Sequence, residues 1–563
     1  MDNGDATYQK LLQIRKSKDL KIAPNPYLNP SIVFRYYQII GIVHMYMVKR
    51  WILGDDTGLG KTCVTLATFT LLLNKDPKSK LVVVCPSSAM YQWAGEIDKF
   101  CVGITSQIVE SVDVQLVKGI RGKKGVREEV KAVKLTSYES REYQFKKFEN
   151  ENKNVLIFNY DTLVSDFYYL KELFSRHKVM LVFDEATAFK NTKTQTHKHA
   201  SELAKIPERV YGLTATVIKN GLLEVFSIYK VIVPGLFSSD IQFKRDYCIT
   251  EDIQLWKGKG KRGRLIKKVI GYKNLEFFRK TIDKFFLGRK KIEVAPELPE
   301  IETIEISIKM SPQQQALYDD ALQGFLDFDK FKHNKLFTLD NDEISEDENE
   351  NIKYIDKLTA LIYCQQICNS PHLIGIDAPS SKEAELLRLL ENELAGDKVV
   401  IYTRFKKMIN RLEKLIQENL KVKCTKITGD VKNEDREKNK KEFNTSEDTN
   451  IILINSAARE AINLQSSGYL IFFDLPFSYG DFLQIIGRIH RIGSKHDKIF
   501  LMYLMAQGTV DEKVYSTLEF KKQLFDTVLG DSAVGAIKIK KQDTLDSLFK
   551  GMIEDAKKLK NLN

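Results

Sequence analysis

Short runs of β-branched and aromatic residues, each followed by a stretch with helical spacing, recur along this chain in two separate sets. The first set comprises Leu81–Cys85 (LVVVC), Val155–Phe158 (VLIF), Val179–Phe183 (VMLVF) and Arg209–Leu213 (RVYGL). The second comprises Lys398–Tyr402 (KVVIY), Ile451–Ile454 (IILI), Tyr469–Phe473 (YLIFF) and Ile499–Tyr503 (IFLMY). A strand with one wet face alternates polar and apolar residues, whereas runs this continuous need cover on both faces. Directly after KVVIY, the residues Phe405, Met408, Ile409, Leu412, Leu415 and Ile416 keep the helical period. A strand feeding an amphipathic helix is the half-unit of a parallel sheet. The fold class is therefore α/β, with two parallel-sheet lobes in tandem and more helical, charged insertions between them.

The expected organisation is an N-terminal extension over 1–28, a first lobe over 29–235, insertions with an acidic loop and a linker over 236–384, a second lobe over 385–531 and a basic tail over 532–563. Within the insertions, Leu339–Asn351 (LDNDEISEDENEN) has almost no apolar residue and reads as a loop. The glycines of Trp256–Lys268 (WKGKGKRGRLIKK) argue against a helix and fit a hairpin or loop; Gly119–Lys131 (GIRGKKGVREEVK) is similar. Both could touch phosphates, and solvated charge explains them equally well. The 87 Lys+Arg against 75 Asp+Glu leave a net charge of +12, which suits a polyphosphate partner but also a plain lysine-rich surface.

No apolar run approaches the roughly 18–20 residues of a membrane span, and MDNGDATYQK has no signal-peptide pattern. A soluble intracellular protein without a membrane partner is expected. Seven cysteines are scattered without CxxC pairs. Cys364, Cys368 and His372 are spaced along one helical face, but a fourth ligand is missing and Pro371 interrupts the helix. Buried thiols in a reducing compartment are the better account.

Three motifs carry chemistry. Asp55–Thr62 (DDTGLGKT) follows the apolar segment Trp51–Leu53 and opens a helical run. Glycines that admit phosphate to backbone N–H groups, a lysine for the outer phosphates and a hydroxyl for Mg²⁺ are all present. The commonest form of such a loop has Gly six residues before the lysine; here Asp55 stands there. Second, the run VMLVF ends in Asp184–Glu185, where one carboxylate can hold Mg²⁺ through water and the next can position the attacking water. Third, Gln484–Gly493 (QIIGRIHRIG) places Arg488 and Arg491 three apart, expected on one helix face, as cations for the charge that develops on a γ-phosphate. Nucleoside triphosphate hydrolysis is expected from the loop and the carboxylate pair.

Further segments stand around these in order. They are FRYYQIIGI (Phe34–Ile42), LVVVCPSSAMYQW (Leu81–Trp93), FNYDTL (Phe158–Leu163), FDEATAFKN (Phe183–Asn191) and GLTATVIKN (Gly212–Asn220). GYKNLEFFRKTID and FLGRKK lie within Gly271–Lys291, and MSPQQQALY and QQICNSPHLI within Met310–Ile374. VVIYTRF (Val399–Phe405), ITGD (Ile427–Asp430) and NSAAREAINL (Asn455–Leu464) precede QIIGRIHRIG. From about Phe34 to Asp531 this succession resembles the SWI/SNF-type group of superfamily 2 helicase-like ATPases. Short insertions and the wording of GDDTGLGKT and VVCPSS resemble its minimal, annealing-helicase-like branch.

The resemblance implies two RecA-like lobes, ATP and Mg²⁺ as cofactors, and duplex or branched DNA as a largely sequence-independent partner of a monomeric motor. Nucleotide would be bound by Gln38, Asp56, Thr57, Gly58, Leu59, Gly60, Lys61, Thr62 and Gln484, with Thr62 and Asp184 on Mg²⁺. Lys61, Asp184, Glu185, Arg488 and Arg491 would carry catalysis. Pro86, Ser87, Lys219, Asn220, Arg404, Thr428 and Asn463 would meet nucleic acid. Departures from the family pattern are Thr187 for His, Ala215 for Gly, Val217 for Pro, and Ala458, Arg459 and Ala461 in a stretch usually rich in glycine. None removes a phosphate or Mg²⁺ group; they bear on the coupling of DNA to hydrolysis.

The leading expectation is a translocase that remodels protein–DNA complexes or branched DNA. A strand-separating helicase is the alternative. A non-hydrolysing DNA-binding factor with a relic motor is a third reading, against which the intact Lys61, Asp184, Glu185, Arg488 and Arg491 argue. Abundant Lys, Asn and Ile suit a bacterial or viral genome.

Overall fold

The computed structural model describes residues 2–17, 19–110, 115–118, 131–134, 136–215, 221–257, 261–295, 297–323, 361–431, 433–456, 463–491, 494–529 and 536–538. Packing divides the chain into two units. Met1–Phe243 with Phe277–Pro296 form the first, and Lys244–Glu276 with Glu297–Asn563 the second, so the stretch 236–384 is shared between them.

The first unit is built on seven strands: β1 (Arg50–Leu53), β2 (Ser79–Cys85), β3 (Ser106–Val109), β4 (Val155–Asn159), β5 (Lys178–Asp184), β6 (Arg209–Leu213) and β7 (Phe286–Leu287). Their order is β7-β1-β6-β5-β2-β4-β3, and every pairing is parallel. All seven residues of β2 are buried, so both faces of the sheet are covered, as the unbroken apolar run requires. Ten residues of the helix Lys61–Lys75, from Cys63 to Leu73, are buried against this core.

Strand β7 is only two residues long and is held from outside the sheet. Arg15, near the end of the helix Asp2–Lys16, donates to the Asp283 carboxylate at 3.1 and 3.3 Å and to the Phe286 carbonyl at 3.1 Å. Its Nε donates to His44 Nε2 at 3.1 Å, and His44 Nδ1 lies 2.8 Å from the Ile40 carbonyl. Burial and the Arg15 charge push the His44 imidazole down to about 4, so it stays neutral and can accept that bond.

The second unit carries six strands: β8 (Glu300–Ile308), β9 (Val399–Tyr402), β10 (Lys423–Ile427), β11 (Thr449–Ile454), β12 (Tyr469–Phe472) and β13 (Lys498–Ala506). The order is β8-β13-β12-β9-β11-β10, again parallel throughout. The helix Lys406–Leu420 follows β9 and buries Met408, Ile409, Leu412 and Ile416. These are two RecA-like parallel-sheet lobes in tandem. The basic stretch in the second unit is neither helix nor free loop: Cys248–Lys257 pairs antiparallel with Lys261–Lys273, and Ala536–Lys538 adds a third strand. The acidic stretch 339–351 lies outside the described residues. Of the basic stretch 119–131, only Lys131 is described. Among the described residues, no helix is long and apolar enough to cross a membrane.

One buried ion pair ties the second unit together. Lys382, on the helix Ser381–Glu391, lies 2.6 Å from Asp511, and both are all but inaccessible, at 1% and 4% exposure. Lys382 also donates to the Phe473 carbonyl at 2.9 Å, and Asp511 accepts from the Ala506 N–H at 3.0 Å. Removing one partner strands a charge, whereas removing both costs far less. Lys382→Ala is expected to lower the stability of this unit by about 3–5 kcal/mol, read as a fall in its urea midpoint. Lys382→Met with Asp511→Asn should recover most of the loss. Equal losses in the single and double variants would contradict this account.

Candidate nucleotide site

In a parallel sheet, loops leaving the carboxyl ends of neighbouring strands share one edge. Strands β1, β6 and β5 are consecutive neighbours, so the loop after β1 and the carboxylates after β5 emerge together. The β1 loop turns through Gly58 and Gly60, both left-handed, at φ +83° and +84°, and runs straight into the helix Lys61–Lys75. No side chain caps that helix, so its first N–H groups face the loop. Lys61 Nζ is held by the loop's own carbonyls, Asp55 at 2.7 Å and Asp56 at 3.2 Å.

Asp55, in the place where glycine is common, is fully buried, and its charge is met. Arg289 grips it bidentately, Nε to Oδ1 at 2.9 Å and Nη2 to Oδ2 at 2.5 Å. The same guanidinium donates to the Tyr37 carbonyl and lies 5.4 Å over the Tyr37 ring. Asp56 is fastened likewise: its carboxylate accepts from the Lys291 N–H at 2.9 Å, and its own N–H donates to the Arg289 carbonyl at 3.1 Å. The short strand β7 thus brings in the segment that fixes the loop. Gln38 closes the other side. It accepts from the Arg35 N–H at 3.0 Å and donates to the Leu59 carbonyl at 3.3 Å. A β-carbon at Gly60 would fall 2.5 Å from its amide nitrogen and push the Gln38 side chain aside, while the left-handed φ itself calls for glycine.

The carboxylates stand under strain. Asp184 Oδ2 accepts from the Trp93 indole N–H at 2.8 Å, and Oδ1 from the Glu185 N–H at 3.1 Å. Tyr160 donates its hydroxyl to the Asp184 carbonyl at 2.7 Å. Burial, and then the Glu185 charge, push the Asp184 carboxyl up to about 6, against the pull of the Trp93 bond and Lys61. Glu185 has left-handed backbone, φ 51° and ψ 57°, which costs a non-glycine residue on the order of 1–3 kcal/mol. Its Oε2 is buried with no hydrogen-bond partner among the described residues. An orphaned acid oxygen next to a second carboxylate, on the sheet edge from which the loop carrying Thr62 also leaves, offers oxygen donors that fit a hard divalent cation and its water. Arg289, Tyr37, Trp93 and Tyr160 had no role in the sequence reading. An acid in the glycine position was the available hint that a cation must come from elsewhere.

In the second unit, Gln484 and Arg488 lie on the helix Tyr479–Ile489, each only 7% exposed, so Arg488 is not a solvated surface arginine. Arg491 departs from expectation. The helix ends at Ile489, and Arg491 is not on its face. The reason is local: Arg491 Nε donates to the Gly487 carbonyl at 2.8 Å, the acceptor that its own N–H would use in a continuing helix. Burial lowers the affinity of its guanidinium for the proton.

Of the residues expected to meet DNA, Ser87 is exposed and accepts from the Asn159 amide at 2.9 Å, beside half-buried Pro86. Arg404 is engaged by Gln365 at 2.6 Å and stacks 4.0 Å from the Phe477 ring centre. Thr428 is buried at 4% exposure, and Asn463 Oδ1 is buried without a partner among the described residues. Thr187 and Ala215 are also buried. Lys219, Asn220, Val217, Ala458, Arg459 and Ala461 lie outside the described residues.

A family model of the SNF2-related domain matches residues 37–373, and one of the helicase conserved C-terminal domain matches residues 381–493. The ATP-dependent helicase fft3 of Schizosaccharomyces pombe is 24% identical, over 90% of this chain and 58% of its own length. Chromodomain-helicase-DNA-binding protein 1-like of Mus musculus is 25% identical, over 89% of this chain and 50% of its own. The chain spans about half the length of the curated relatives it matches. Among solved structures, the Sulfolobus solfataricus SWI2/SNF2 ATPase core in complex with dsDNA aligns over 91% of this chain and 96% of that one, at 23% identity and TM-score 0.38. That superposition is too loose to add to the strand order.

The raised Asp184 carboxyl has a measurable sign. The folded state binds a proton more tightly than the unfolded chain, so stability rises as pH falls from about 6 towards 4, and the full cost is felt above about 6. Asp184→Asn should therefore stabilise the nucleotide-free protein at pH 7.5 by roughly 1–3 kcal/mol. The gain should fade near pH 4. Thermal unfolding at the two pH values checks it, and no gain at pH 7.5 would mean that the carboxylate is well solvated.

Proposed function

The chain belongs to the SNF2-related family, and from that premise we propose that it is an ATP-driven motor that moves along duplex or branched DNA. One observation carries the reading: a glycine-turned phosphate loop and a strained carboxylate pair with an orphaned oxygen share one edge of the first sheet. A relic motor would gain nothing from holding Glu185 in a costly conformation.

The residues divide the work. Backbone N–H groups from Gly58 to Thr62 bind the β- and γ-phosphates, and Lys61 turns from its loop carbonyls to the outer phosphate oxygens. Gln38 releases the Leu59 carbonyl to read the base. Thr62 and Asp184 hold Mg²⁺, which neutralises phosphate charge when bound. Glu185 Oε2 orients the attacking water. Arg488 and Arg491 are assigned to offset charge that develops on the γ-phosphate, and Gln484 to binding the nucleotide. DNA is gripped through its backbone at Pro86, Ser87, Arg404 and Asn463, so binding weakens with salt and is largely blind to sequence.

The test is steady-state ATP hydrolysis at one salt concentration with no nucleic acid, blunt duplex, single strand or a forked junction. Strong stimulation by blunt duplex is expected. Stimulation by single strand or fork alone would replace translocation with strand separation, and no hydrolysis in any arm would overturn the motor reading. Lys61→Ala should abolish turnover in every arm while mobility-shift binding to duplex is kept. Retained turnover in that variant would displace the site.

A further inference from the structure

Trp93, on the helix Met90–Phe100, is 1% exposed and gives its indole N–H to one acceptor, Asp184 Oδ2 at 2.8 Å. A buried indole usually finds an acceptor, so the bond could be mere satisfaction of a core side chain. Trp51, equally buried, leaves its Nε1 with no partner among the described residues. What distinguishes Trp93 is its acceptor, a carboxylate that is itself desolvated. With Trp93 on Oδ2 and the Glu185 N–H on Oδ1, the Asp184 carboxylate is pinned at both oxygens by neutral donors. Partners that orient a metal ligand in this way are worth a large share of the affinity.

The helix that carries Trp93 begins where the Ser87–Ala89 turn ends, at the tip of β2. Ser87, in that turn, is tied to Asn159 at the end of β4. We propose that Trp93 is a positioning residue whose indole N–H sets the Asp184 carboxylate for its divalent ion, from a helix that adjoins the turn offered to DNA. The proposal rests on the nucleotide-site reading given above. It adds a residue that touches neither phosphate nor metal and acts through Asp184 alone.

The probe is Mn²⁺, titrated by electron paramagnetic resonance into the full chain with ADP. Trp93→Phe keeps the aromatic bulk and removes the donor. Mn²⁺ should bind this variant about 10–100-fold more weakly, while ADP affinity in EDTA is unchanged. A merely structural role would lower both or neither. Equal Mn²⁺ affinity in variant and wild type overturns the proposal and leaves the nucleotide site standing. Failure of the wild type to take up Mn²⁺ with ADP overturns the site reading itself, and the proposal with it. Should the variant not fold, wild-type protein with ¹⁵N-labelled tryptophan decides: the Trp93 indole N–H resonance should move when Mg²⁺ is added to the ADP complex. An unmoved resonance overturns the proposal.

Discussion

Parallel strands impose a geometry that everything else here follows. A chain cannot return directly to a parallel neighbour, so each strand hands its successor loop to the same edge before a helix crosses back. With β1, β6 and β5 adjacent, the phosphate loop and the Asp184–Glu185 pair, far apart in sequence, have no freedom to be elsewhere. The chemistry is thus a property of strand order before it is a property of any side chain. The second sheet, also wholly parallel, offers Arg404 and the start of the Lys406–Leu420 helix in the same way, past the end of β9.

The nucleotide edge is crowded with charge, and the protein manages the two pairs of acids differently. Asp55 and Asp56 are fully engaged by Arg289 and by the Lys291 backbone, which makes them scaffolding. Asp184 and Glu185 are left short of cations: the first is raised by burial and by its neighbour, the second keeps an oxygen without a partner. Such under-satisfied groups are destabilising in a core and useful at a site, because a positively charged ligand gains what the fold lacks. Strain in the Glu185 backbone belongs to the same pattern.

How far the sequence could be read depended on how much each element relied on its own residues. All eight apolar runs became strands, since continuous Val, Ile, Leu and Phe is itself the signal for two-sided burial. Strand β8 was invisible for the opposite reason: EIETIEISI places Glu at 300, 302 and 305 along a sheet edge, where the first residues are exposed and only pairing with β13 makes it a strand. Strand β7, two residues long, carries no local signal at all. Loop and carboxylate motifs were legible because glycine and acid positions are dictated by phosphate and metal. Arg289 was not, because its purpose is set by Asp55, 234 positions earlier in the chain. Arg491 was misplaced because a side-chain bond to Gly487, which no periodicity encodes, ends the helix early.

The bond between Arg289 and Asp55 joins residues 234 positions apart. On a ribosome adding about 5–20 residues per second, the acid emerges roughly 12–47 seconds before its cation. Through that interval β1 lacks its outer neighbour, and a carboxylate destined for the interior has no partner to neutralise it. The phosphate loop, written first, is therefore among the last parts of its lobe to mature. A nascent chain halted anywhere between Thr62 and Arg289 would display the glycine loop without the clasp that gives it shape.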